Sequence, residues 1–360
     1  MNVKTEIKIQ KGELDAIPSL VIGELNPKAL FLLTDQNVGS LYIDDLKRAF
    51  EDEGISFSSL IIGAGEQFKN FSSVEKIYRK LELCHADRNT LVVTLGGGVI
   101  GDIGGFAAST YARGIRWVNI PTSLLAMVDS SIGGKTGYNT KAAKNNIGTF
   151  WDPDLVIIEL AFLDSLPARE FRSGLAEIVK YGLIGDPELF ELLKDPQNNL
   201  LDIVERSVSF KMSVVEKDHC EKNERRILNF GHTLGHALES FFNYSILTHG
   251  EAVALGIRFA LWLSQKRLNL PPSISLMVDR FFYDFGLLKN AYPGADEITD
   301  FIKLDKKHIR ADIACVLLKD LGDPFLMKIS ILDLLDAYSA FRIADSMALE
   351  NSTLAPTAIP

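Results

Sequence analysis

Cysteine is scarce in this chain, with three in 360 residues, and Cys84, Cys220 and Cys315 lie far apart. An odd number with no CxxC spacing excludes a disulfide framework and a thiolate zinc knuckle, and predicts free thiols in a reducing, cytoplasmic compartment. Long apolar runs are also missing. The most apolar long segment, 252–263, is short and interrupted by Arg258, so no membrane span is expected. Met1 to Gln10 has no apolar stretch of the kind a signal peptide needs. There is no excess of positive charge: 38 Lys and Arg against 47 Asp and Glu leave −9, which argues against a nucleic-acid partner. Internal repeats and low-complexity tracts are absent.

What is present suits a soluble globular protein, since 47% of the residues are hydrophobic and the length allows two domains and a large core. Val3–Gln10 alternates as a strand does. Ala29–Asp35 is a continuous apolar run ending in a carboxylate, as in a strand covered on both faces. Helices are expected over 38–52 and 71–83, with strands at 56–62, 91–95, 117–120 and 155–158. This alternation predicts an N-terminal parallel α/β sheet over 1–164. Helical periodicity then dominates 165–345, broken by a strand pair near 313–318 and 325–331. Residues 346–360 are small, polar and proline-containing, and are expected to form a loose tail.

Gly96-Gly97-Gly98-Val99-Ile100-Gly101 satisfies GxGxxG between a strand and a helix, where helix amides can meet a pyrophosphate. A turn used only for packing is the alternative. The acidic residue that should hold a ribose about 20 residues later is missing, because none lies between Asp102 and Asp129. Asp35 could serve instead. A second glycine-rich stretch, 129–148, carries Lys135, Lys144 and Asn145, donors suited to anions, but lacks the first glycine of a P-loop.

In the second half, Arg225, Asn229, His232 and His236 are spaced 4, 3 and 4, predicting one helical stripe. Thr248 and Glu251 have the form of a capping box, placing His249 in a helix's first turn. Three of the six histidines fall within this region, which suggests a metal, though each has an ordinary core reading. Glu177 among apolar neighbours is either the missing ligand or the ion-pair partner of Lys180. The nearby cations Lys211, Lys306 and Lys307 suggest a small multiply charged anion.

GGGVIGDIGGF, PTSLLAMVDSSIGGKTG, KNNIG, GLAEIVKYG, LNFGHTLGHALE, HGEAV and DKK occur here in this order. The set resembles the 3-dehydroquinate synthase family of sugar phosphate cyclases, from about Asp35 to Lys307. The resemblance implies a Rossmann-like NAD-binding domain, a mainly α-helical metal- and substrate-binding domain, and a shikimate-pathway lyase. That activity turns 3-deoxy-D-arabino-heptulosonate 7-phosphate into 3-dehydroquinate and phosphate, with NAD and a divalent metal, usually zinc and optionally cobalt. It implies Glu177, His232 and His249 as metal ligands. It implies Asp35, Glu66, Lys69, Gly98, Val99, Ile100, Gly101, Asp102, Thr122, Ser123, Lys135, Lys144, Phe162, Leu163, Asp164 and Ser165 around NAD. Lys135, Asn145, Lys180, Lys211, Arg225, Asn229, His236 and Lys306 or Lys307 are implied around a phosphorylated sugar acid. Asp129 matches an acidic position there, and Arg113 an arginine reaching across a homodimer. Where the family often reads Asn-His-Pro, this chain has Asn139-Thr140-Lys141, which opens the possibility of a variant substrate.

Overall fold

The structure is a computed structural model that describes residues 5–12, 14–140, 143–289, 291–304 and 312–350. The chain divides into two compact units, Met1–Pro167 and Ala168–Pro360.

The first unit contains, in order, β1 (Glu6–Gln10), α1 (Ala16–Leu25), β2 (Ala29–Asp35), α2 (Gln36–Asp52), β3 (Ser56–Ile62), α3 (Phe71–Leu83), β4 (Leu91–Gly96), α4 (Gly98–Thr110), β5 (Trp117–Pro121), β6 (Lys135–Tyr138), β7 (Ile147–Phe150) and β8 (Leu155–Glu159). Six strands make one parallel sheet in the order β1-β8-β5-β4-β2-β3. Every residue of β4, β5 and β8 is buried, as the apolar runs predict for strands covered on both sides. Helix α1 packs with α2 and α3 with α4, the grouping that right-handed crossovers give for this strand order.

The strand order reverses between β2 and β4: β2 leads outward to β3, whereas β4 leads the other way to β5. In such sheets the crevice beyond the strand ends at this point is where ligands sit. Asp35 ends β2 and Gly96 ends β4, on neighbouring strands paired through Thr34 and Leu95. The glycine-rich 129–148 stretch, read as a loop, instead forms the antiparallel hairpin β6–β7.

The second unit contains α5 (Ala168–Ile184), α6 (Leu189–Leu192), α7 (Leu200–Lys217), α8 (His232–Phe241), α9 (His249–Leu268), α10 (Pro272–Asp284), α11 (Ala295–Leu304), β9 (Ile313–Asp320), β10 (Asp323–Ile329) and α12 (Ile331–Glu350). The parallel sheet and the mainly helical second half are thus both present. Helix α9 is the hub, packed against α5, α8, α10, α12 and β9. It is buried almost all round, including Val253, Leu255, Ile257 and Leu261. Each such aliphatic side chain contributes about 1.5–3 kcal/mol when fully buried. Helix α12 runs on to Glu350, so residues 346–350 extend a helix where a loose tail was expected. Residues 351–360 of that tail lie outside the described residues.

Candidate functional site

The helical stripe expected from the 4-3-4 spacing is broken, and the break builds the site. Arg225, Asn229, His232 and His236 do not share one helix. A 3-10 turn, Glu224–Asn229, ends at Phe230, and α8 starts afresh at His232 after Gly231, whose φ is +78°. The break follows from how closely α8 and α9 approach. A Cβ on Gly256 would stand 1.8 Å from the Gly231 carbonyl oxygen, and one on Gly231 would stand 2.6 Å from Ile257 Cγ1. Two glycines let the helices meet there, and the left-handed backbone at Gly231 needs no side chain.

That approach brings the first residue of α8, His232, beside the first residue of α9, His249, with ring centroids 5.5 Å apart. The capping box is present as read: Thr248 Oγ1 accepts from the Glu251 amide at 3.3 Å, and Glu251 Oε2 accepts from the Thr248 amide at 2.9 Å. Helix α5 then docks on the start of α9 through one stripe with four-residue spacing. Arg169 donates to both Glu251 oxygens at 3.1 and 2.8 Å. Ser173 Oγ accepts from the Gly250 amide at 2.9 Å. Glu177 Oε1 lies 3.2 Å from His249 Nε2 and 3.4 Å from His232 Nε2.

Glu177, His232 and His249 each offer one ligand atom, and those atoms all lie within 4.8 Å of one another. A tetrahedral ion with bonds of about 2.1 Å sets its ligand atoms about 3.4 Å apart, close to the two distances observed, and two imidazoles with one carboxylate are a catalytic zinc set. The other ring nitrogens are engaged outward. His232 Nδ1 donates to the Phe230 carbonyl at 3.1 Å, and His249 Nδ1 lies 3.2 Å from Glu239 Oε1. Such partners fix which nitrogen faces the ion. Burial pushes His232 down to about 3 despite Glu177, so it stays neutral, as a ligand must be. Burial acts the same way on His249, but Glu239 and Glu177 outweigh it and raise the ring to about 9, so an ion bound there must displace the Nε2 proton. Two carboxylates pulling on one imidazole make a place that favours positive charge. The residues present therefore fit a divalent cation.

Lys180, Lys211 and Arg225 are buried cations of the same unit. Lys180 pairs with Glu177. Helix α7, which carries Lys211, and the 224–229 turn both pack on α5. Arg225 Nη1 donates to the His219 carbonyl at 2.6 Å, and Asn229 Nδ2 to Glu221 at 2.9 Å. The His236 ring stands edge-on to His232 at 5.1 Å and is not one of the three candidate ligands. Lys306 and Lys307 lie outside the described residues.

In the first unit the implied cofactor residues gather at the strand ends. Buried Lys69 pairs with Asp102 and donates to Asn145 Oδ1 at 2.6 Å. Asn139, which neither spacing nor the implied contacts picked out, joins this group. It donates to Glu66 Oε1 at 2.7 Å, accepts from the Asn145 amide at 2.8 Å, and bonds the Lys69 carbonyl through its own amide at 2.8 Å. Lys144 lies 3.9 Å from Glu66. The Thr122 amide bonds the Gly96 carbonyl, and Ser123 Oγ accepts from the Ala126 amide. Gly98 to Gly101 open α4, and a Cβ on Gly98 would come 2.9 Å from Ser130 Oγ, so the turn is closely backed.

Asp35 caps α2 by accepting from the Asn37 and Val38 amides. Phe162 and Leu163 are buried, Phe162 edge-on to Tyr42, whereas Asp164 and Ser165 are exposed and Ser165 bonds Tyr42. Asp129 sits in a π-helical turn, Ala126–Ser130, and exposed Lys135 begins β6. Arg113 is exposed, with φ +67°.

With this geometry in place, comparison with known proteins is decisive. The family model for the 3-dehydroquinate synthase N-terminal part matches residues 59–173, and that for the C-terminal part matches 174–308. This chain belongs to the 3-dehydroquinate synthase family. The 3-dehydroquinate synthase of Clostridium beijerinckii is 40% identical over 332 residues, spanning 90% of this chain and 95% of that protein. The solved 2-epi-5-epi-valiolone synthase of Streptomyces hygroscopicus subsp. jinggangensis, with NAD+ and Zn2+ bound, is 28% identical with a TM-score of 0.84. That match covers 96% of this chain and 98% of that one. A 2-deoxy-scyllo-inosose synthase complexed with carbaglucose-6-phosphate, NAD+ and Co2+ is 25% identical with a TM-score of 0.84, covering 93% and 96%.

Proposed function

We propose that this chain is a 3-dehydroquinate synthase that converts 3-deoxy-D-arabino-heptulosonate 7-phosphate to 3-dehydroquinate and phosphate. The observation that carries the reading is the two-histidine, one-glutamate cluster at the junction of α5, α8 and α9, inside the segment matched by the family's C-terminal model. The conversion runs through alcohol oxidation, phosphate elimination, ketone reduction, ring opening and intramolecular aldol closure, with no net redox change. When bound, NAD supplies a reversible hydride acceptor and zinc or cobalt a Lewis acid that acidifies a hydroxyl.

The chain's own residues then position and neutralise. Glu177, His232 and His249 would hold the metal. Lys180, Lys211 and Arg225 would offset the charge of a phosphorylated sugar acid, and the His219 carbonyl keeps the Arg225 guanidinium aimed. Asn229, His236, Lys135, Asn145 and one of Lys306 or Lys307 would complete that set, with His236 moving protons or binding phosphate and Asp129 on the carboxylate side. Gly98 to Asp102, at the strand-order reversal, would meet the pyrophosphate. Asp35 would hold a ribose, with Glu66, Lys69, Thr122, Ser123, Lys144 and the 162–165 turn around the cofactor. Exposed Arg113 fits an arginine that reaches a second copy, so a homodimer is part of the proposal. Among the described residues no helix is long and apolar enough to cross a membrane; a cytoplasmic location is a separate part of the proposal.

The test is phosphate release from the heptulosonate phosphate at catalytic NAD. Turnover without NAD consumption, lost on chelation and restored by zinc or cobalt, supports the reading. Stoichiometric NAD reduction would instead mark a metal-dependent alcohol dehydrogenase.

A further inference from the structure

We propose that Glu239 is a positioning residue of the metal centre, holding the Nδ1–H of His249 so that Nε2 is presented to the ion. The inference rests on the metal reading above and gives a role to a residue that closes the LNFGHTLGHALE block but was assigned none by spacing or by the resemblance.

Two separate devices place His249. Its backbone is fixed by the α5 stripe, through Arg169 on Glu251 and Ser173 on Gly250. That anchoring leaves the ring free to turn about its terminal torsion, which is broad for histidine. The ring is fixed by a different element. Glu239 lies on α8, two turns after His232 and so on the same side of the helix. It is only 3% exposed, with Oε1 3.2 Å from His249 Nδ1. Helix α8 thus supplies one ligand from its first residue and the orienting group for the other ligand from its third turn. A buried carboxylate is costly unless paired. Its place against the outward nitrogen of one ligand is the carboxylate–histidine arrangement that raises a ligand's basicity toward a cation.

The experiment uses the full-length chain, stripped of metal, with Zn2+ and Co2+ as probes. Dissociation constants come from chelator competition, the cobalt visible spectrum reports ligand geometry, and melting of the metal-free chain reports folding. Glu239→Ala is expected to weaken both ions by about 10–100-fold and to change the cobalt spectrum. Glu239→Gln, which keeps an acceptor oxygen and loses the charge, should weaken them less and leave the spectrum closer to wild type. A folded Glu239→Ala with wild-type affinity overturns the proposal, as does a lower melting temperature with unchanged affinity, which would mark a purely structural residue. If Glu239→Ala does not fold, wild-type affinity and spectrum in Glu239→Gln overturn it. Failure of the wild-type chain itself to bind either ion would sink the metal reading first, and so separates the two.

Discussion

The two candidate sites are built in opposite ways. In the first unit the framework is mostly backbone: strand ends, the Gly96–Gly101 turn and the start of α4, with a bonded fringe of Lys69, Asp102, Asn139 and Asn145. In the second unit the framework is side chains on rigid helices, with Glu177 and Lys180 buried in mid-helix and two histidines at helix starts. A site made of amides tolerates side-chain loss, because the groups that meet the ligand belong to every residue type. A site made of three side chains has no spare member. Substitutions of similar size should therefore cost far more in the second unit than in the first.

The sharpest test pairs His232→Ala with Asp35→Ala. Losing a proposed metal ligand is expected to abolish stoichiometric zinc and lower turnover by about 10³-fold or more, as when a catalytic group is removed outright. Asp35→Ala removes a helix cap and is expected to cost about 1 kcal/mol of stability, with only a several-fold rise in the KM for NAD. Equal effects on turnover would break the comparison. His236→Ala sharpens it, since the neighbouring ring should keep the metal and lose rate, a difference read by metal analysis beside kinetics. Next come Lys180→Ala and Arg225→Ala. Each removes a charge-assisted contact to the proposed anionic substrate and is expected to lower kcat/KM by about tenfold or more. Wild-type kinetics in both would contradict the substrate assignment. Smaller in activity but large in stability is Gly256→Ala. Its methyl group would sit 1.8 Å from the Gly231 carbonyl, so α8 must shift, at about 1–3 kcal/mol by thermal unfolding, and metal affinity should fall with it.

These contrasts also explain what could be read from the chain alone. Strand β2 and helix α3 have the bounds expected for Ala29–Asp35 and 71–83, because a doubly covered strand is uniformly apolar and Asn70 caps α3. Hairpin β6–β7 was not legible: it is four residues a side, glycine-rich and without alternation. Helix α1 escaped for a related reason, since AIPSLVIGEL has a proline and no polar face. The residue types of the candidate metal cluster were legible, but the supposed stripe was not real. A 4-3-4 spacing assumes an unbroken helix, and the break at Gly231 is imposed by Ile257 and Gly256 from another element. Glu239 stands at the end of the LNFGHTLGHALE block, but its role was not legible, because its partner His249 is reached only after the chain turns from α8 into α9.

The smallest expected effect concerns pH, and it tests the clamp that sets the backbone of His249. Burial alone would raise the Glu251 carboxyl, but hydrogen bonds from Arg169 and the Thr248 amide outweigh burial and hold it below its ordinary 4.5. A carboxyl depressed by folding stabilises the native state above its unfolded value, and that stability is lost as pH falls through the lower folded value. The wild-type melting temperature should thus drop on acidification from about pH 4.5 downward more steeply than that of Glu251→Gln. The glutamine keeps one acceptor for Arg169 and cannot titrate, so the two curves should converge at the acid end. Parallel curves would mean that the Arg169–Glu251 pair adds nothing to folding. The α5 stripe would then hold α9 through Ser173 and the apolar contacts alone, and the side-chain-built site would be less dependent on its charged clamp than its geometry implies.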